Sequence, residues 1–325
     1  MPYETGTATS IEDLVSKFDT FITANGFTRD ELDLSANYGT WHETGGTLYF
    51  SLRWDATAQT DLAIYQSTGW TSGQAPHQQP DDSGVGTTAI PIASGRRVNF
   101  VSVGPFTAYH FFINATGDYV HVVVEVDAGR YRHFGFGKLT KVGDWTGGDY
   151  AYGHLWDQGV AQIDDPTNIS NYLGLDAGAS TPNQATMQVQ GLPGVSAASR
   201  WMVVGAANTP GTDRAGNVRV SGTGGARGGL WPYYIAWIPS SALNVYIPLT
   251  PIPVVYRDKT TTPHTWYWMG VQPDKAIVNM TNFNPGDVIT IGADTWMVFP
   301  WVRKQFLQAN TEESWNAGYA YKKIT

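Results

Sequence analysis

The stretch that decides the fold is Tyr131-Arg-His-Phe-Gly-Phe-Gly-Lys-Leu-Thr-Lys-Val-Gly-Asp-Trp-Thr-Gly-Gly-Asp-Tyr-Ala-Tyr-Gly-His154. It reads as aromatic strands interrupted by glycine turns. A second stretch, Asn284-Pro-Gly-Asp-Val-Ile-Thr-Ile-Gly-Ala-Asp-Thr-Trp-Met-Val-Phe-Pro300, reads the same way and closes on a Gly292-Ala-Asp294 turn. Immediately before the first lies Tyr119 to Asp127. There Val120, Val122, Val124 and Val126 alternate with Tyr119, His121, Val123 and Glu125, the period of two that gives a strand two distinct faces. Ala128-Gly129 turns this strand into Arg130 to Val142, and Asn114-Ala-Thr-Gly117-Asp118 joins it to Ala108 to Asn114. Local hairpin logic makes these three segments an antiparallel meander.

Outward toward the start, the spacing predicts one helix. Ile11, Leu14, Val15, Phe18 and Ile22 recur at helical intervals, Thr9 and Glu12 form a capping box ahead of them, and Asn25-Gly26 supplies a left-handed stop. Such a stripe needs a cover, with Phe27 placed to anchor it against the following sheet. Thr47 to Arg53, Asp61 to Gln66 and Arg97 to Val103 read as further short strands. Gly69 to Gly95 and Asp164 to about Gly229 are rich in Gly, Pro, Ser, Asn and Asp and read as long ordered loops, a feature of segments that bind or assemble something. Leu230 to Pro263 is apolar but punctuated by prolines, which suit edge strands and extended arms. The expected architecture is mainly β, a β-sandwich-like or meander sheet, with one N-terminal amphipathic helix and long ordered loops. Its parts are a helical segment over 1–34 packing on the sheet, a β-meander core over 35–160, a loop-rich excursion or assembly arm over 161–263, and C-terminal strands over 264–325 returning to the core.

Composition bounds the function. Charged residues make up only 15% of the chain, well under the usual quarter, whereas 13 Trp and 17 Tyr are present. Protein interfaces deplete charge at their centres and enrich aromatic rings, so the balance favours a surface made to be covered in an assembly; the plainer alternative is a large aromatic core. A net charge of −8 argues against a nucleic-acid surface. With no cysteine, disulfides and thiolate metal sites are excluded. The sequence shows neither a secretory signal nor an apolar run of bilayer length, so no membrane partner is expected.

Candidate chemistry is thin. His110, His121, His133 and His154 fall in or near the meander without a His-x-His or His-Glu-x-x-His spacing, although His121 and His133 on neighbouring strands invite a facing pair. Asp144, Asp149, Asp157, Asp164 and Asp165 cluster beside Trp145, Tyr150, Tyr152 and Trp156. A glycosidase needs two carboxylates across a sugar, and those rings would serve as a platform, but aspartate in glycine-rich sequence is ordinarily turn chemistry. The Gly-rich run at 222 to 229 lacks the Lys-Ser/Thr of a phosphate loop. No catalytic residue, cofactor site or metal site is assigned, and the chain is read as a non-enzyme.

Three blocks carry a resemblance to a known class. They are Pro2-Tyr-Glu-Thr-Gly-Thr7 with the helix and Ala24-Asn-Gly-Phe-Thr28; Gly129 to Leu139 with Gly143-Asp-Trp-Thr-Gly-Gly148; and Val278-Asn-Met-Thr-Asn282 through Pro300 to Gly318-Tyr-Ala-Tyr-Lys-Lys323. In style and order they resemble the virion structural proteins of tailed bacteriophages, of the tail and baseplate region. The resemblance implies a repeated structural subunit in the virion, assembled in the host cytoplasm, whose partners are copies of itself and other virion proteins. Trp145, Trp156, Trp231, Trp237, Trp266 and Trp268 are the expected interface anchors, since truncating such rings costs roughly 2 kcal/mol or more. Two alternatives stay open: a receptor module stacking host surface glycans on exposed rings, and a glycan-degrading tail enzyme.

Overall fold

A computed structural model describes residues 3–55, 61–81, 96–100, 102–153, 187–190, 201–204, 218–219, 249–258, 265–301, 303–304 and 317–324. The chain begins with β1 (Tyr3–Ala8) and α1 (Ile11–Thr23). A small antiparallel sheet follows, made of β2 (Phe27–Asp33), β3 (Tyr38–Glu43), β4 (Tyr49–Trp54), β5 (Asp61–Ser67) and β6 (Arg96–Asn99) in sequential order. The meander is β7 (Phe106–Ile113), β8 (Tyr119–Asp127) and β9 (Arg130–Lys138), then the short β10 (Thr140–Lys141) and β11 (Asp149–Gly153). Beyond it come β12 (Met187–Gln190), β13 (Trp201–Val204), β14 (Val218–Arg219), β15 (Thr250–Asp258), β16 (Thr265–Asn279), β17 (Val288–Ile291), β18 (Asp294–Pro300) and β19 (Ala317–Lys322). The large sheet runs β1-β7-β8-β9-β11-β12-β13-β14-β15-β16-β19-β18-β17, with β10 pairing to β16.

The molecule is mainly β and sandwich-like, as the alternation in Tyr119 to Asp127 requires. Strand β8 sends its two faces into two different cores. Val120, Val122, Val124 and Val126 join Phe134 and Phe136 of β9, the stripe of α1, and Trp41, Phe50, Leu52 and Ile64 of the small sheet. On the other face, Val123 joins Tyr150 and Tyr152 of β11, Met269 and Ile277 of β16, Phe299 of β18, and Tyr319 and Tyr321 of β19. The second half of the large sheet thus folds back over the first and buries its odd-numbered β8 face. Gly135 makes room for this: a Cβ there would lie 2.5 Å from the Val120 carbonyl oxygen and 2.9 Å from the Tyr152 ring.

The helix stripe is buried as its spacing requires, and Phe27 packs in the same core. Its cap lies one residue later than the sequence suggests. Ser10, in extended conformation, accepts from the Asp13 N–H at 3.1 Å, and the Asp13 carboxylate accepts from the Thr9 N–H at 2.8 Å. Thr9/Glu12 and Ser10/Asp13 are the same residue types in adjacent registers. The choice falls to Ile11, whose N–H donates to the Val103 carbonyl and whose side chain must face the core. At the other end the Asn25 side chain donates to the Phe21 carbonyl, and Gly26 takes φ +100°.

Two expectations about the middle of the chain need correction. The stretch read as loop from Asp164 to Gly229 contains β12, β13 and β14 of the large sheet. The proline-rich strand β15 is internal to that sheet, between β14 and β16, rather than an edge strand or arm. Its prolines are tolerated because the register with β16 shifts between Pro251 and Pro253, and because β14 reaches only Val255 and Tyr256. A missing N–H therefore removes no ladder bond to β14. In the 69–95 segment, Gln79 ties the described part together, donating to the Thr71 and Gln74 carbonyls and accepting from the Thr71 N–H. Residues 82–95 lie outside the described set.

Candidate functional site

The seam between the two halves of the large sheet holds an unusual set of side chains. His121 and His133 are buried there, together with Tyr119, Tyr150, Tyr152, Tyr319, Tyr321 and Lys275. They share one face because β8 pairs Val123 with His133, β9 pairs Gly137 with Tyr150 and Gly135 with Tyr152, and β16 pairs Lys275 with Tyr321. His121 Nε2 donates to the Pro273 carbonyl at 2.8 Å and its Nδ1 lies 3.0 Å from the Tyr152 hydroxyl. His133 Nε2 donates to the Pro300 carbonyl at 2.9 Å and its Nδ1 lies 2.8 Å from the Tyr321 hydroxyl. The two rings therefore do not form a metal pair; each fastens the meander to the C-terminal strands. Burial pushes both imidazoles down to about 3, with the positive charge of Lys275 acting in the same direction. His110, stacked on Tyr3 and tilted against Phe299, is pushed by burial down to about 4.

Lys275 occupies an aromatic cage. Its Nζ stands 3.4 Å from the Tyr152 ring centre and 4.0 Å from that of Tyr319. Among the described residues the amine has no hydrogen-bond partner, and burial drives its pKa well below that of a free lysine. Ring faces are the remaining source of stabilisation for a charge held there.

Next to this cage lies a cleft of ≈ 700 Å³, lined among others by Asp118, Tyr119, Lys138, Lys141, Asp274 and Trp296. Lys275 itself lines this cleft, but the other charged groups there are already committed. Asp118 binds Asn114 and Thr116, Asp274 accepts from Tyr119, Lys138 pairs with Glu43 at 2.9 Å, and Lys141 donates to the Trp145 carbonyl. Such a lining offers a ligand few free donors or acceptors.

The carboxylates named from the sequence part company. Asp144 is exposed, whereas Asp149 is buried at the rim of the hydrocarbon core. Burial raises Asp149 to about 7 against the opposing pull of Lys138 and Lys141. Across the same rim Glu43, despite its burial, is held at about 2 by Lys138, Thr47 and the Gly45 N–H. Its contacts fix the β3–β4 turn, since it accepts from Gly45, from the Thr47 N–H and from the Thr47 hydroxyl. His154, Asp157, Asp164, Asp165 and the Gly-rich run at 222 to 229 lie outside the described residues. Among the described residues no three His, Asp or Glu side chains converge on a metal-sized site, and no helix is long and apolar enough to cross a membrane.

Of the six tryptophans singled out as anchors, Trp156, Trp231 and Trp237 lie outside the described residues, and for Trp266 the backbone alone is described, opposite Arg257. Trp145 is half-buried against the polar core, with the Lys141 ammonium 5.3 Å over its ring. Trp268 is the outlier: 57% of it is exposed, held upright by a bond from Nε1 to the Gly270 carbonyl. Val142, 55% exposed, donates its N–H to the Met269 carbonyl. At the end of the large sheet Val288 and Ile291 of β17 are exposed, on opposite faces of that edge strand. Sequence reasoning did not single out Lys275 or the Tyr319/Tyr321 pair as a cluster. A scan against protein-family models finds no match for this chain, and a search of curated proteins finds none either.

Proposed function

We propose that this chain is a structural subunit of a tailed-phage virion, of the tail or baseplate region, acting through protein–protein contacts with copies of itself and with other virion proteins. The observation that best supports the reading is the edge of the large sheet. Edge strands are normally guarded by charge, proline or a bulge, because their free N–H and C=O groups template further pairing. Strand β17 is Val-Ile-Thr-Ile, regularly paired to β18 on one side and, among the described residues, to nothing on the other. Two of its apolar side chains are exposed, and Trp268 and Val142 are exposed elsewhere on the molecule. Apolar surface of this kind marks sites of protein association. The buried His121, His133 and Glu43, by contrast, spend their bonds inside the fold, as fasteners of structure rather than as acid and base.

The test has two arms. Purified particles from an infected culture are expected to contain the chain in fixed stoichiometry. The isolated chain is expected to self-associate in sedimentation velocity, with Val288→Lys/Ile291→Lys abolishing the association without changing the circular dichroism. Absence from particles, combined with a strict monomer at high concentration, would refute the reading. Release of soluble sugar from host glycans would instead favour the enzymatic alternative, and glycan binding quenched by Trp268→Ala would favour the receptor alternative.

A further inference from the structure

The long strand β16 is interrupted near its middle. Its pairing with β15 passes from Pro253 opposite Val271 to Pro251 opposite Ala276, so the four residues Gln272 to Lys275 stand against Ile252 alone. On the other edge of β16, β10 pairs as far as Val271 and β19 takes over at Lys275. The strand thus leaves both ladders between Val271 and Lys275. Within this bulge Asp274 takes φ +51°, in the left-handed region that residues other than glycine rarely adopt. Bulges re-aim side chains, and a non-glycine residue persists at positive φ only where its surroundings enforce it; both gather at functional sites. The enforcement is visible here. His121 donates to the Pro273 carbonyl, and the Asp274 carboxylate accepts from the Tyr119 hydroxyl.

What the bulge delivers is Lys275. The residue is a wall of the ≈ 700 Å³ cleft and is itself only 2% exposed. Its Nζ rests on the ring faces of Tyr152 and Tyr319 and has no hydrogen-bond partner among the described residues. The nearby hydroxyls are engaged elsewhere, that of Tyr152 by His121 and that of Tyr321 by His133. A buried lysine kept for its charge needs a carboxylate beside it. Asp274, its neighbour in sequence, is instead bonded to Tyr119 and lies 3.9 Å from Lys322. Burial disfavours the ammonium and leaves an uncharged amine, the form in which lysine is a nucleophile. With the other charged groups of the cleft held by protein partners, its lining also includes Leu139, Leu249, Pro251, Val271 and Trp296. Such walls suit an uncharged, largely apolar molecule.

We propose that this cleft is a capture site for a small uncharged aldehyde, with Lys275 as the nucleophile that binds it covalently. The Nζ lone pair attacks the carbonyl carbon, forming the C–N bond while the C=O π pair moves to oxygen. The two amine hydrogens then leave with that oxygen as water, and an imine remains. Nothing is oxidised or reduced, and hydrolysis reverses the step. The cleft is the approach, because Lys275 forms part of its wall while the Tyr152 and Tyr319 rings cover the amine within the core. This capture is independent of the virion reading, and neither stands or falls with the other.

The experiment is reductive trapping. The full chain is incubated with benzaldehyde and sodium cyanoborohydride at about pH 7, and the reduced adducts are located by peptide mass spectrometry. A lysine of ordinary pKa holds only about one amine in 2,500 uncharged at that pH. Lys275 is therefore expected to be modified about tenfold faster or more than Lys17 and Lys323, and to lose that lead in concentrated urea. Lys275→Met is expected to remove the fast adduct and leave the slow ones. Val271→Trp, which narrows the cleft, is expected to slow the Lys275 adduct by about tenfold with Lys17 unchanged and the circular dichroism preserved. An adduct at Lys275 that forms no faster than at Lys17 in the folded protein overturns the proposal. An equally fast Lys275 adduct in Val271→Trp overturns the cleft as the way in. The comparison of lysines within the unaltered chain is decisive even if either variant fails to fold.

Discussion

The two faces of β8 lead into cores built on opposite principles. On the valine face, α1 and the small sheet close over hydrocarbon: Phe18 alone meets the rings of Trp41, Phe50, Phe111, Phe134 and Phe136, and a polar bond there runs from Trp41 Nε1 to Asp19. On the His121 face the interior is aromatic but wired, with imidazoles and phenols bonded to each other and to backbone carbonyls, and a lysine amine enclosed by rings. The hydrocarbon face stabilises by area removed from water and is indifferent to pH. The wired face specifies which strands meet, because each unmatched partner would leave a buried polar group unsatisfied. One strand thus serves as a boundary between a core that supplies cohesion and a core that supplies register.

The comparison breaks most sharply with acid. His121, His133 and His110 have folded pKa values of about 3, about 3 and about 4, below the ordinary value of 6.5. Between pH 6.5 and those values the unfolded chain binds more protons than the folded one, so stability falls as pH falls through that window. The loss is expected to be on the order of 3 kcal/mol per ring by about pH 4.5. Urea unfolding at about pH 7.5 and 4.5 measures it, and His121→Gln/His133→Gln is expected to flatten the acid limb. A pH-independent midpoint between those conditions would show that the wired core lacks the character given to it here.

The second cut is on the hydrocarbon side. Phe18→Ala is expected to cost about 3–5 kcal/mol, the range for emptying a buried aromatic site. Its signature is the same cost at both pH values, since no titratable group changes its surroundings. A Phe18→Ala penalty that varies with pH would mean that the two cores are not separable.

A smaller effect probes the rim. Asp149 is raised to about 7, so the unfolded chain releases its proton from about pH 4 upward while the folded one keeps it. Folding stability attached to this group is therefore present at low pH and lost as pH rises through about 7. Asp149→Asn is expected to raise stability at about pH 8 by up to about 4 kcal/mol and to change little at about pH 4. Unfolding midpoints at the two pH values decide it, and an equal effect at both would assign Asp149 a packing role only.

What could be read beforehand divides along the same boundary. The hydrocarbon core was legible because its elements are each periodic: the helix stripe from Ile11 to Ile22 and the valines of β8 declare their faces without reference to anything distant. The meander followed from Asn114 to Asp118 and Ala128-Gly129, turn sequences with their own local chemistry. The wired core was not legible in that way. Lys275, in Pro273-Asp-Lys-Ala276, has the look of an exposed turn, and it is buried only because β19 brings Tyr319 and Tyr321 across from the end of the chain. Nothing in Gly318-Tyr-Ala-Tyr announces that its rings will enclose an amine. His121 and His133 were correctly placed on adjacent strands, yet their partners are the carbonyls of Pro273 and Pro300, which no side-chain pattern marks. Even the helix cap moved by one residue, because two equivalent boxes were written side by side.

The smallest expected effect on stability is the one that bears most on function. Trp268 stands outside both cores, and surface substitutions away from packed or bonded features shift stability by within about 0.5 kcal/mol. Its single internal bond, to the Gly270 carbonyl, is to an acceptor two residues away in the same strand, and water can replace it. Trp268→Lys is therefore expected to leave the unfolding midpoint essentially unchanged while placing a charge where the exposed ring stood. If that surface is a contact between subunits, the lysine loses the ring's contact area and must be desolvated on association, and self-association measured by sedimentation is expected to weaken tenfold or more, about 1.4 kcal/mol or above. A variant that is equally stable and equally associated would remove Trp268 from the interface and leave the β17 edge as the remaining candidate. One that is markedly destabilised would place the ring with the cores rather than outside them, and the division between cohesion, register and contact surface would have to be redrawn at that strand.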